Sequence, residues 1–184
     1  ISEFTVALQC GGSDSYSGIT SNPALGIASD MIVDNGGSTI LAETTEIYGA
    51  EHLLFERSVN KENIIKIEKQ IEWWKEYLSK NNSVLDNNPS PGNKKGGLTT
   101  ILEKSLGAVA KSGSRNMVDV LDYAEKLKIR GFNFMNSPGY DPVSVTGQVA
   151  SGANVICFTT GRGSCFGFKP TPSIKISSNT NMYN

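Results

Sequence analysis

The stretch DPVSVTGQVASGANVICFTTGRG, residues 141–163, decides the fold. Its second half, Asn154 to Thr159, is an apolar run of strand length bounded by turn residues, so it belongs to a strand buried on both faces. Its first half has helical spacing: Asp141-Pro142 opens it, Val143, Thr146 and Val149 share a face, and Gly152 stops it. A helix leading into a two-sided apolar strand is half of a parallel βαβ unit. Downstream, Ser173 to Ser177 alternates as a last strand. Upstream, Phe132 to Met135 and Val118 to Leu121 read as strands. Before them, Thr100 and Glu103 form a capping-box pattern, with Leu98, Leu102, Ser105 and Val109 on one face and Gly113 as the stop. A long helix is expected from Lys61 to Lys80, striped by Ile64, Ile67, Ile71, Trp74 and Leu78. A shorter one carries Ile47, Ala50 and Leu54. Ser38 to Ala42 and Phe4 to Leu8 are two more buried strands. Between these two lies a helix capped at Ser21 or Asn22, with Pro23 inside and Asn35-Gly36-Gly37 after it. No internal repeat is present. The alternation predicts an α/β fold: a three-layer, mainly parallel open sheet with helices on both faces, Rossmann-like. Residues 1–184 form one domain, interrupted at 81–97 (NNSVLDNNPSPGNKKGG) by a segment that composition makes a long internal loop.

Composition sets the outer bounds. With 184 residues, 38% hydrophobic, 19% charged and a net charge of -1, the chain can bury one sizeable core and is not disordered. Its densest basic spot, Lys94-Lys95, is too small a footprint for nucleic acid. The longest apolar run, Val155 to Phe158, is far short of a membrane span. Three cysteines, at 10, 157 and 165, without a CxxC pair, encode neither a disulfide framework nor a zinc knuckle, which favours a reducing, cytoplasmic setting. The chain opens on Ile1 almost directly into a strand and ends soon after another, so both ends read as cut from a longer protein.

In parallel sheets ligands bind outside the carboxyl ends of the strands. Three polar segments fall there: 9–14, 43–46 and 159–164. Gly11, Gly12 and Ser13 offer backbone N–H groups to an anion, or simply make a tight turn. Cys10 is a reactive thiol, a metal ligand or a buried small residue. Glu43 and Glu46 can hold a divalent ion or divide acid and base work, and Glu46 alone can complement a helix dipole. His52 points away from the apolar stripe of its helix, toward solvent, an interface or the site. In the stiff 89–97 stretch, Asn93 and Lys94 lead into a capped helix, and a lysine held there can act as base or bind a carboxylate. Glu103 and Lys104 fit a cap and a solvated face. Thr160 ends the best strand, and Arg162 between two glycines is poised to fork a carboxylate or phosphate.

Long stretches of the chain resemble one family, the altronate and galactarate dehydratases. They are LQCGGSD (8–14), SNPALGIASD (21–30), PGNKKGGLTTILEKSLG (91–107), PGYDPVSVTGQVASGANVICFTTGRGS (138–164) and FGFKPTPSIKISSNT (166–180). EIYGAEHLL (46–54), the Trp73-Trp74 pair and NNPSPGNK (87–94) resemble the altronate branch. Cys165 and Thr45 depart from the family pattern.

The resemblance implies a cytoplasmic, iron-dependent lyase (Fe2+, with Mn2+ as alternative) that converts D-altronate to 2-dehydro-3-deoxy-D-gluconate and water. This chain would be its large C-terminal domain, lacking an N-terminal domain of the same chain, and a homo-oligomer stays open. For such a reaction this sequence offers Cys10, Asp14 and Glu43 to the metal, with Glu46 as the alternative to Glu43. Substrate would be held by Gly11, Gly12, Ser13, Asn93, Thr160 and Arg162. Lys94, Glu46, His52 and Glu103 are the catalytic candidates, the base among them undecided. Galactarate dehydration is the near alternative. A non-catalytic phosphate- or nucleotide-binding module is the distant one, lacking a Walker lysine and an acidic ribose partner.

Overall fold

Six strands, all parallel, form one sheet in the computed structural model, which describes residues 1–11, 14–87 and 89–184 (backbone alone at Asn87). In chain order the elements are β1 (Thr5–Cys10), α1 (Ser21–Asp34), β2 (Ser38–Ala42), α2 (His52–Phe55), α3 (Lys61–Lys80), α4 (Pro91–Lys95), α5 (Ile101–Ala110), β3 (Met117–Leu121), β4 (Phe132–Met135), α6 (Asp141–Ser151), β5 (Val155–Thr160), β6 (Ser173–Ser177) and α7 (Thr180–Tyr183). The strand order is β3-β4-β2-β1-β5-β6. From β1 the chain moves to β2 on one side and later returns to β5 on the other, so the direction of winding reverses between β1 and β5. That is where a parallel sheet opens a crevice at its carboxyl edge.

Alternate side chains of the strands feed two cores, which makes the three layers. Val6 and Leu8 of β1, Leu41, Phe132 and Phe134 pack under Leu25 of α1, Ile67 and Ile71 of α3 and Val109 of α5. On the opposite face Ala7, Ile40, Met135, Ile156 and Phe158 pack under Val145 of α6. The expected bounds of β2, β4, β6 and α3 coincide with those found, because period and turn residues agree there.

Two local readings need correction. The 81–97 segment is not loop throughout: a 3-10 turn spans Leu85–Asn87, and α4 is closed by a Ser90–Asn93 capping box with Pro91 at its start. A box built on asparagine rather than glutamate hides from the usual pattern. In α5 the expected face holds at Ser105 and Val109, with Leu98 just before the helix also buried, but Leu102 is 45% exposed and Lys104 and Ala108 are buried beside them. Tertiary partners of Lys104 draw the inward face away from Leu102.

Candidate functional site

The carboxyl ends of β1 and β2 carry a buried polar cluster. Gln9, the penultimate residue of β1, donates from Nε2 to Glu43 Oε1 and to Asp141 Oδ1, both at 2.8 Å. Its Oε1 accepts from Ser144 of α6. Glu43 follows β2 directly and holds a left-handed backbone, φ 75°, a conformation costing about 1–2 kcal/mol in a residue with a Cβ. The loop after β4 secures it: Glu43 N donates to Ser137 Oγ, and Thr44 N to the Ser137 carbonyl. From the other side Thr44 Oγ1 and Trp74 Nε1 both donate to Asn136 Oδ1. Strained backbone that is over-determined in this way marks a place where side-chain aim matters.

Two lysines, one in α5 and one just past its end, close the cluster. Lys104 Nζ lies 2.8 Å from Glu46 Oε1, with both side chains under a tenth exposed. Lys111, fully buried just past the helix end, donates to Cys10 Sγ at 3.0 Å. Burial pushes the Glu43 carboxyl well above the ordinary range, helped by the negative charge of Glu46 and opposed by Lys111. Its Oε2 is buried without a hydrogen-bond partner. Burial also raises the Cys10 thiol and the Asp141 carboxyl. Beside the cluster, between α5 and the turn after β1, a cavity of about 230 Å3 is lined by Cys10, Asp14, Asn22, Leu98, Glu103 and Lys104.

The structure thus brings Cys10, Glu43 and Glu46 into one cluster and sets Asp14 and Glu103 on its cavity. Asp14 accepts from Ser17, Ser178 and Asn179 and lies against Gly161, tying the ends of β1, β5 and β6 together. Glu103 accepts from the backbone and hydroxyl of Thr99, which hold its carboxyl below the ordinary value. It therefore caps α5 one residue earlier than a standard box. Gly11 donates to the Thr159 carbonyl, and Thr160 is buried at the end of β5. Gly12 and Ser13 lie outside the described residues. Asn93 is spent on the α4 cap, and Lys94 is exposed on that helix. Arg162 is exposed and donates to the Gly92 carbonyl, so it pins α4 to the end of β5. His52 is exposed in a separate surface groove with Glu51, Glu68 and Lys75, away from the cluster.

As a metal set, Cys10, Asp14 and Glu43 do not fit. Among the described residues no three His, Cys, Asp or Glu side chains gather in a way that could hold an ion. Cys10 faces an ammonium, and Asp14 is saturated by protein donors.

Sequence reading missed Gln9 and Lys111, took Asp141 only as a helix opener, and gave Lys104 to a solvated face. Lys104, Ala108 and Lys111 fall at i, i+4 and i+7, one helical face with a lysine at each end of a small residue, and this was the available signal.

A family model, D-galactarate/altronate dehydratase, C-terminal, matches residues 1–184. The chain belongs to that family. Its relatives include an altronate dehydratase of Bacillus subtilis (strain 168), 45% identical over all of this chain and 37% of its own. A galactarate dehydratase (L-threo-forming) of Escherichia coli (strain K12) is also 45% identical, over all of this chain and 35% of its own. An altronate dehydratase of the same strain is 43% identical, over 99% of this chain and 37% of its own. This dehydratase-family chain therefore spans little more than a third of the length of these relatives. Among its described residues, no helix is long and apolar enough to cross a membrane.

Proposed function

We propose that this chain is the C-terminal part of a cytoplasmic sugar-acid hydro-lyase and that the strand-end cluster is its working site. The reading takes D-altronate as substrate and 2-dehydro-3-deoxy-D-gluconate as product. The observation that carries it is the pair of carboxylates three residues apart in unlike surroundings: Glu46 ion-paired to Lys104, and Glu43 buried with a partnerless oxygen. Carboxyl groups whose environments differ in this way divide base and acid roles.

Dehydration removes the C2 proton, leaving an enediolate. It then breaks the C3–O bond as the hydroxyl takes a proton and departs as water, and the resulting enol becomes the 2-ketone. In this reading Glu46 takes the C2 proton, and the Lys104 ammonium on the cavity wall offsets the enediolate charge. Glu43, kept protonated by burial, protonates the leaving hydroxyl. Ferrous iron, or Mn2+, belongs to the same reading as a metal whose ligands come from elsewhere in the longer enzyme, and none of these steps runs through it.

Full-length enzyme should release a 2-keto-3-deoxy acid from D-altronate, with a higher kcat/KM than on galactarate. A reversed preference would move the assignment to galactarate. No product from either hexonate would refute the dehydratase reading.

A further inference from the structure

Trp74 is the aromatic member of the α3 stripe, and its indole makes a contact that apolar packing does not explain. Ile67 and Ile71 of the same stripe enter the core, whereas Trp74 is half-buried and its Nε1 donates to Asn136 Oδ1 at 2.9 Å. An indole N–H can only donate, so a ring packed at a helix surface takes its direction from the acceptor it finds. Trp73 and Tyr77, both about half exposed, meet the ring edge-on, with centroids 4.9 and 5.6 Å away. Asn136 Oδ1 has two lone pairs, and the second accepts from Thr44 Oγ1 at 2.7 Å. The Asn136 backbone N donates to the Leu121 carbonyl at the end of β3. This side-chain amide therefore links α3 to the residue that follows Glu43, with a donor fixing it from each side.

The loop that Asn136 begins lies along the carboxylate loop residue by residue. Ser137 Oγ accepts from Glu43 N and the Ser137 carbonyl from Thr44 N, both at 3.0 Å. Gly139 N donates to Thr45 Oγ1 at 2.9 Å. A Cβ at Gly139 would fall 2.9 Å from Glu46 Cγ and Oε1, so the two loops meet this closely because position 139 has no side chain. Residues 136–139 thus form a mould for 43–46, and the left-handed backbone of Glu43 is held against it. The 20-residue α3, anchored in the core by Ile67 and Ile71, is a rigid base for that mould, and Trp74 Nε1 is the tie between them.

We propose that Trp74 is a positioning residue for the dehydration: acting through Asn136, it fixes the aim of Glu43 and Glu46 without touching substrate. The proposal rests on reading those two carboxylates as the acid and base. A misplacement of about 1 Å at the reacting groups costs about 100-fold in rate, even when its cause lies far from the chemistry.

The test uses full-length enzyme carrying Trp74→Phe, which keeps an aromatic ring and removes the N–H. Amide hydrogen exchange over residues 43–47 should rise about tenfold. On D-altronate kcat should fall about tenfold, with KM within about twofold of wild type. Asn136→Leu should have the same effects with the indole intact, and adding Trp74→Phe to it should change neither exchange nor kcat further. Exchange over 43–47 that stays at the wild-type rate in Trp74→Phe would overturn the proposal. So would a Trp74→Phe effect that is equally large in the Asn136→Leu background, since the ring would then act by packing alone. Should Trp74→Phe fail to fold, Asn136→Leu by itself gives the same readouts. Exchange that rises while an active enzyme keeps its kcat would overturn the role of Trp74 in the reaction. A wild-type enzyme inert on altronate and galactarate, with exchange still dependent on Trp74, would refute the dehydratase reading alone.

Discussion

The Lys104 ammonium lies 2.8 Å from Glu46 Oε1, and less than a tenth of either side chain meets solvent. A pair this buried gains little over an apolar pair of the same volume, but breaking it strands a charge. Lys104→Met should therefore destabilise the fold by about 3 kcal/mol or more, and Lys104→Met with Glu46→Leu should recover most of that loss. Urea unfolding of both variants checks this. A single substitution costing under about 1 kcal/mol would mean that Glu46 is solvated or held by other donors.

Gly161 has no room for a side chain. A Cβ there would fall 2.0 Å from Asp14 Oδ2, inside the carboxylate that joins the ends of β1, β5 and β6. Gly161→Ala should expel Asp14, with a loss of about 2 kcal/mol, the scale of a broken buried hydrogen-bond network. Gly161→Ala should cost much less in an Asp14→Ala background. Equal costs in the two backgrounds would show that the clash is relieved some other way.

The Glu43 carboxyl gives stability a pH signature. Because its folded value is raised, chiefly by burial, the folded state keeps a proton that the unfolded chain releases near the ordinary 4.5. That contribution is fully present below pH 4.5 and is lost as pH rises through the folded value. Glu43→Gln cannot ionise, so its stability should fall less steeply with pH across that window. The difference between the two proteins should move in favour of the variant as pH rises. Parallel stability curves would contradict the raised carboxyl.

Arg162 holds α4 through the Gly92 carbonyl. With Arg162→Ala, amide hydrogen exchange across residues 90–97 should rise about tenfold, while global stability shifts by less than about 1 kcal/mol. An unchanged exchange rate would show that the Ser90–Asn93 capping box alone holds the segment.

The fold was legible because period and punctuation agree along most of the chain. β2 and α3 have the bounds that Ser38 to Ala42 and Lys61 to Lys80 lead one to expect. The three strand-end segments were legible too, since a parallel sheet dictates where its loops converge. The lysines were not. On or beside a helix the default for lysine is solvent, and Lys104 and Lys111 meet partners 58 and 101 positions away, at Glu46 and Cys10, that no local pattern announces. Lys94, His52 and Arg162 present the opposite case. Each is a residue type rich in chemistry, and the fold leaves each exposed, outside the buried cluster.

The central claim, that Glu43 and Glu46 divide the acid and base work of a sugar-acid dehydratase, meets its most direct test in kcat. Full-length enzyme carrying Glu43→Gln or Glu46→Gln should be assayed on D-altronate beside wild type, with circular dichroism confirming the fold. Each variant should lose about 100-fold or more in kcat, the usual contribution of a positioned acid or base. A folded variant that keeps kcat within about twofold of wild type would contradict the role of that carboxylate, and both doing so would remove the strand-end cluster from the chemistry.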